Sequence, residues 1–233
     1  MNNKQKELIE SLVKEGLKRL NSPKTILHFG TIPESETLLN DIVKYPHFYV
    51  LGCVMDRQIK AEKAWTIPYK IGQIIKSFEF KDYLKLSEEE YIKIFEENRF
   101  HRFNKTMGIC FYLAIQKIHL EYNDDASNIW KNTPKSSDVL NRFYDFKGVG
   151  DKIANMAVNI LIRDFKIPMS DYSAIDLPPD SQVKKFLVKN GFVNENASPK
   201  EIILLARQLY PKYPGILDIA WEEGRKIKNF KHE

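Results

Sequence analysis

Apolar positions recur at helical spacing along most of the chain. Leu8, Ile9, Leu12, Val13, Leu17 and Leu20 fall on one face and predict an amphipathic helix over residues 4–21, ended by Ser22-Pro23. Leu38, Leu39, Ile42 and Val43 predict a second helix, closed by Pro46. From Phe48 to Lys63 the chain is apolar first and charged later, without a readable period. Ser87 with Glu90 forms a capping-box pair that opens a helix through Phe95. Met107, Cys110, Phe111, Ala114, Ile115 and Ile118 mark one side of a helix over 104–121. Thr133-Pro134-Lys135-Ser136-Ser137 reads as a linker, and four more helices are expected over 151–165, 180–190, 199–210 and 214–229. No segment alternates as a half-buried strand and no solenoid repeat appears, so the pattern predicts an all-α fold.

One helix stands apart. Ile153, Ala154, Met156, Ala157, Val158, Ile160, Leu161 and Ile162 leave almost no polar face, which marks a buried helix. It is entered through Gly148-Val149-Gly150, with Lys152 two residues inside. Glycines let backbone approach a ligand closely. The unpaired N–H groups and the dipole at a helix start favour an anion, of which a DNA phosphate is one. The same residues also fit an ordinary tight turn before a core helix.

Composition narrows the partners. With 233 residues and 43% apolar residues, the chain can build one large or two small domains. Lysine and arginine outnumber aspartate and glutamate 36 to 31, a net charge of +5, which permits a polyanionic partner without requiring one. The two cysteines, Cys53 and Cys110, form no CxxC and read as reduced, buried thiols. Two are too few for a four-cysteine iron–sulfur or zinc site, and the five histidines have no metal spacing, so neither metal nor other cofactor is expected. The polar start carries no secretory signal and no apolar run could span a bilayer. An intracellular monomer with no membrane partner is expected.

Two stretches carry a resemblance. Phe146-Lys147-Gly148-Val149-Gly150-Asp151-Lys152-Ile153-Ala154 resembles the hairpin of the helix-hairpin-helix DNA glycosylases, the superfamily of endonuclease III and the 8-oxoguanine glycosylases. Pro179-Asp180-Ser181-Gln182-Val183-Lys184-Lys185 resembles the segment in which that family's aspartate opens a helix. Val54-Met55-Asp56-Arg57-Gln58-Ile59 is similar to its helix-end segment, whose glutamine fills the gap left in DNA, and Ala220-Trp221-Glu222-Glu223-Gly224-Arg225 to its closing helix. The likeness runs from about residue 45 to 230. Three features depart from the pattern: Lys147 replaces the hairpin proline, Asp151 puts an acid where phosphate should bind, and the cluster cysteines are missing. Lys152 and Asp180 are also 28 residues apart, a longer interval that an insertion from Met169 to Leu177 explains.

The resemblance implies two helical lobes, residues 30–135 as a bundle and 1–29 plus 136–233 carrying the hairpin, with a catalytic cleft between them. It implies a bifunctional glycosylase/AP lyase acting on an oxidised base in duplex DNA, with 8-oxoguanine the first choice. Lys152 would be the nucleophile and Asp180 the carboxylate, each at a helix start; in the first turn of a buried helix the dipole and desolvation both disfavour the ammonium form of Lys152. Gly148, Val149 and Gly150 would grip phosphate, Gln58 fill the gap, His101 or Arg102 wedge the opposite strand, and Lys184, Lys185 and Lys189 track the backbone. Phe143, Tyr144 and Trp221 are candidates to stack on an extruded base. Each has an ordinary structural reading beside it: Lys152 a solvated first-turn lysine, Asp180 a plain cap, Gln58 an exposed helix end, the three aromatics core packing. Asp171 and Asp176 compete with Asp180. The rival functions are a monofunctional glycosylase for alkylated bases and a non-catalytic DNA-binding module.

Overall fold

In the computed structural model, which describes residues 1–227, the pattern becomes thirteen α-helices and two 3-10 turns, with no strand among the described residues. In chain order the helices are α1 (Asn3–Asn21), α2 (Pro33–Asn40), α3 (Pro46–Met55), α4 (Ala61–Ala64), α5 (Ile67–Ile75), α6 (Phe80–Tyr83), α7 (Glu88–Asn98) and α8 (Asn104–Tyr122). There follow α9 (Ser136–Tyr144), α10 (Asp151–Arg163), α11 (Ser181–Lys189), α12 (Pro199–Leu209) and α13 (Ile219–Lys226). The expected last helix is a 3-10 turn (Pro214–Asp218) followed by α13, and residues 228 and 229 of that expectation lie outside the described residues. No helix among the described residues is long and apolar enough to cross a membrane.

The chain divides into two compact units. The first comprises Met1–Lys24, Thr133–Leu140 and the residues from Asn155 onward; the second comprises Thr25–Asn132 and Asn141–Ala154. The hairpin segment 141–154 groups with Thr25–Asn132. The reason is packing. Phe143 and Phe146, which flank the hairpin turn, are buried, and Phe146 lies parallel to Tyr122 of α8 at a centroid distance of 6.4 Å.

The second unit is built on α3, whose ten residues are all buried. Phe48, Tyr49, Tyr83, Tyr91, Phe95 and Phe111 form its aromatic core, with Tyr91 and Phe111 at 5.3 Å and Phe95 and Phe111 at 5.8 Å. A helix buried all round has no amphipathic period, which is why the sequence between Phe48 and Met55 gives no readable face. The Ser87 capping box forms: Glu90 N–H donates to Ser87 Oγ (3.2 Å) and Ser87 N–H to Glu90 Oε2 (2.7 Å). The helix through Leu38 and Leu39 stops at Asn40, and Val43 is exposed. Asn40 turns back to bridge Leu27, accepting its N–H and donating to its carbonyl, both at 2.8 Å, so the chain leaves the helix there.

The expected linker falls at a unit boundary: Thr133, Pro134 and Lys135 are outside any helix, but its last two residues belong to α9. Ser136 is the buried start of α9, and the carbonyl of Pro134 accepts Ser170 N–H at 2.9 Å. In the first unit α11 packs on α13 so closely that a Cβ on Gly224 would lie 2.1 Å from the Gln182 carbonyl oxygen.

Candidate functional site

The hairpin and the Gln58 segment share one space. Within the second unit, residues 56–59 and 148–153 line an open pocket of about 610 Å³. One wall follows the C-terminal end of α3. Arg57 N–H turns back to Met55 O (2.8 Å), and Gln58 sits exposed in the left-handed region at φ +56°. That conformation costs a non-glycine residue free energy and persists only where its surroundings impose it.

The other wall is the hairpin. Val149 N–H donates to Phe146 O (3.0 Å), so this amide already serves the turn and is not available to a ligand. Gly148 is held at φ +96°, and a Cβ there would meet Cys110 Sγ at 3.2 Å. Glycine is therefore required twice, by conformation and by the thiol beneath it. Gly150 differs: a Cβ there would meet nothing within 4 Å. The fold does not need glycine at 150; only the close approach of a ligand would. Gly150 O accepts Ala154 N–H (3.0 Å), closing the first turn of α10, whose leading N–H groups have no intrahelical acceptor.

Lys152 and Asp151 face the same pocket, and both are exposed. The desolvation expected for Lys152 does not reach it, because the apolar run of α10 becomes buried only from Ile153. Cys110 beneath the hairpin is buried, and burial raises its thiol pKa, while Lys147 and Arg57 nearby oppose the rise.

The three aspartates have distinct surroundings in the first unit. Asp171 accepts from Ser136 Oγ (2.5 Å), Ser173 N–H (3.2 Å) and Ser173 Oγ (3.3 Å), and these bonds, Ser136 foremost, hold its pKa below the usual carboxylate range. Asp176 receives a two-pronged pair from Arg207 at 2.6 and 2.7 Å, and its own N–H donates to Asn155 Oδ1 (2.6 Å). Asp180 stands at the start of α11 as its N-cap, accepting Gln182 N–H at 2.7 Å. Asp171 and Asp176 thus hold the loop that leads to α11.

Two expected DNA contacts change. His101 is buried, 3% exposed, with Nδ1 accepting Phe103 N–H (3.0 Å) and its own N–H donating to Asn104 Oδ1 (2.8 Å). It presents no face to a duplex. Arg102 and Phe103 beside it are exposed, with the guanidinium 5.3 Å from the ring centre. Phe100 before it is buried as well, and nothing in the basic pattern of Arg99-Phe100-His101-Arg102 marks His101 as sharing that burial. Lys185 donates to Ile227 O (2.5 Å) at the end of α13, while Lys184 is half-buried. Of the stacking candidates Phe143 is buried, whereas Tyr144 and Trp221 are partly exposed and Arg225 lies over Trp221 at 4.9 Å. Among the described residues no group of three or more His, Cys, Asp or Glu side chains could hold a metal ion.

A solved structure with this architecture is that of a trapped endonuclease III–DNA covalent intermediate in an estranged-adenine complex. The fold is that of endonuclease III. The likeness covers 96% of this chain and 85% of that one, with a TM-score of 0.55 and 15% identity. No protein-family model matches the chain, and no curated protein matches it in sequence.

Proposed function

We propose that the protein is a DNA glycosylase with AP lyase activity that removes an oxidised base, 8-oxoguanine by preference, from duplex DNA. The observation that carries this reading is the pocket shared by the hairpin, Lys152 and the strained Gln58. The endonuclease III-like fold supports it, since that neighbour was captured as a covalent intermediate with DNA.

On this reading the start of α10 receives a backbone phosphate through amide N–H groups, and Gln58 enters the space left when the base leaves the stack, an event costing a few kcal/mol. Lys152 in its neutral form attacks C1′ through the Nζ lone pair, and the base departs with the glycosidic electrons and takes up a proton. The secondary amine then opens the sugar to an imine, and loss of a C2′ proton expels the 3′ phosphate. Asp180, ionised at the start of α11, stabilises positive charge on the sugar and relays protons at the amine. Because His101 is buried, Arg102 and Phe103 take the part of probing the opposite strand.

Borohydride in the presence of an 8-oxoguanine duplex should trap a covalent adduct, and Lys152→Gln should abolish it without changing the melting temperature. Asp180→Asn should lower turnover by at least about a hundredfold, and Asp171→Asn far less. An undiminished adduct in Lys152→Gln, or the two aspartate variants behaving the other way round, would remove those assignments. The exposure of Lys152 favours a second reading, a module that grips backbone without chemistry. Tight duplex binding with no adduct on any of a panel of lesions would establish that one instead.

A further inference from the structure

Beyond the pocket itself, one buried group links two exposed segments. His101 Nδ1 accepts Phe103 N–H, which leaves the proton of the neutral ring on Nε2. The ring stays neutral because burial, helped by nearby Lys63 and Arg57, pushes its pKa down. The backbone carbonyls of Met55 and Arg57 lie close enough to oppose that shift, but Nε2 reaches neither within full hydrogen-bond geometry. These carbonyls flank the turn at the end of α3, where that of Met55 also accepts Arg57 N–H and keeps a second lone pair. One residue beyond Arg57 stands Gln58 in its left-handed conformation. On the other side of the same ring, Phe103 N–H anchors the segment that exposes Arg102 and Phe103.

We propose that His101 is a positioning residue that couples the Gln58 turn to the Arg102-Phe103 turn, through an Nε2–H donated to the carbonyls at the end of α3 and completed when DNA is bound. This rests on the reading of those two turns as the parts that probe DNA. A buried donor with its acceptors beside it but out of line is costly to leave so, and a small shift of the 55–58 turn would satisfy it. Inserting Gln58 into a duplex is a movement of that turn. The free protein would then hold the turn under mild tension, and the bound state would lock both probes together.

The test has two arms. In the first, the nitrogen-15 spectrum of the wild-type histidine rings, with His101 assigned by its loss in His101→Gln, should show the Nε2–H tautomer. Its proton should exchange more slowly once a duplex with an abasic analogue is added. A ring protonated on Nδ1, or exchange unchanged by the duplex, would overturn the proposal.

In the second arm, 2-aminopurine opposite the abasic analogue reports unstacking of that base by fluorescence. His101→Leu should lower the response about as much as Gln58→Ala, and the double variant should fall no further. His101→Gln, which keeps a donor near the Nε2 position, should recover most of the signal, leaving about a tenfold difference in affinity between it and His101→Leu. Additive losses in the double variant, or His101→Gln behaving as His101→Leu does, would sink the coupling. If His101→Leu does not fold, the ring spectrum and His101→Gln still decide. If the wild type shows no preference for the abasic duplex, the proposed function fails, while the tautomer still tests the link between the turns.

Discussion

The two units are held together by different physics. In the second, the interior is largely aromatic: α3 is wholly buried, and its Phe48 joins a cluster with Tyr83, Tyr91, Phe95 and Phe111. In the first, charged groups are drawn inside. Arg163 binds Asp164 at 2.9 Å and Asp218 at 3.1 Å, Asn159 Nδ2 reaches Gly215 O at 3.2 Å, and Tyr213 donates its hydroxyl to Asn159. Lys166 donates to three carbonyls, those of Arg19, Leu20 and Arg163. Apolar burial is non-directional and makes a stiff body. Buried ion pairs add little net stability but penalise every arrangement that leaves one partner alone. The first unit carries the long loop from Arg163 to Asp180, where directional bonds add to the burial of Phe165, Met169, Ile175 and Leu177.

The sharpest way to break this contrast is to remove one charge. Arg163→Leu should cost about 3–5 kcal/mol at neutral pH, because it strands Asp164 and Asp218. Burial already raises the Asp218 pKa. A carboxyl whose pKa is raised by folding destabilises the ionised state, so the loss should shrink as pH falls and the acid takes up its proton. Phe111→Ala in the second unit should cost a similar 3–5 kcal/mol, with no such relief. Urea unfolding of both variants at pH 7 and pH 4.5 tests the pair; equal pH dependence would mean the units do not differ as described.

A smaller effect sharpens the contrast from the other side. His47 is a polar residue enclosed by the aromatic core, its Nε2 3.1 Å from Phe78 O, and burial pushes its pKa down to about 4. Between its ordinary 6.5 and about 4 the unfolded chain binds a proton that the fold refuses. Stability is therefore complete above pH 6.5 and declines as pH falls, by about 1.4 kcal/mol per unit and about 3 kcal/mol in all. His47→Gln keeps a donor for Phe78 O and should flatten that slope in an acid unfolding series.

The smallest expected effect separates the two hairpin glycines. Gly148→Ala should lose about 1 kcal/mol or more, from the left-handed backbone and the Cys110 contact, whereas Gly150→Ala should stay within about 0.5 kcal/mol. Duplex affinity should reverse the order of interest: Gly150→Val weakens binding to damaged and undamaged DNA alike while leaving the melting temperature nearly unchanged.

Periodicity located α1, α8, α11 and α12 because each turns one apolar face inward, while a capping box marked α7 and an almost unbroken apolar run marked α10. It missed α3 and α9 for opposite reasons. α3 has no polar face to set the phase, and α9 begins at Ser136, a residue type that reads as loop and is buried here by its bond to Asp171. The pocket was legible as far as short motifs reach, since the Gln58 segment and the hairpin meet in it. Burial of His101 and exposure of Lys152 were not, because both depend on which neighbours the fold brings near, and a basic turn or an apolar helix does not announce them.

The loop before α11 has a consequence for how such chains are aligned. Asp171, Asp176 and Asp180 lie within ten positions, and the first is the one a gap-minimising comparison would seat in the family's acidic column. Its hydrogen bonds tie it to Ser173 two positions on and to Ser136 at the start of α9, while the residue that opens a helix comes nine positions later. An insertion that folds on itself adds length along the chain without adding distance at its ends. If Asp180 is the carboxylate proposed above, homology transferred by counting would drift by a whole loop at that position, and an alignment anchored on helix starts would not.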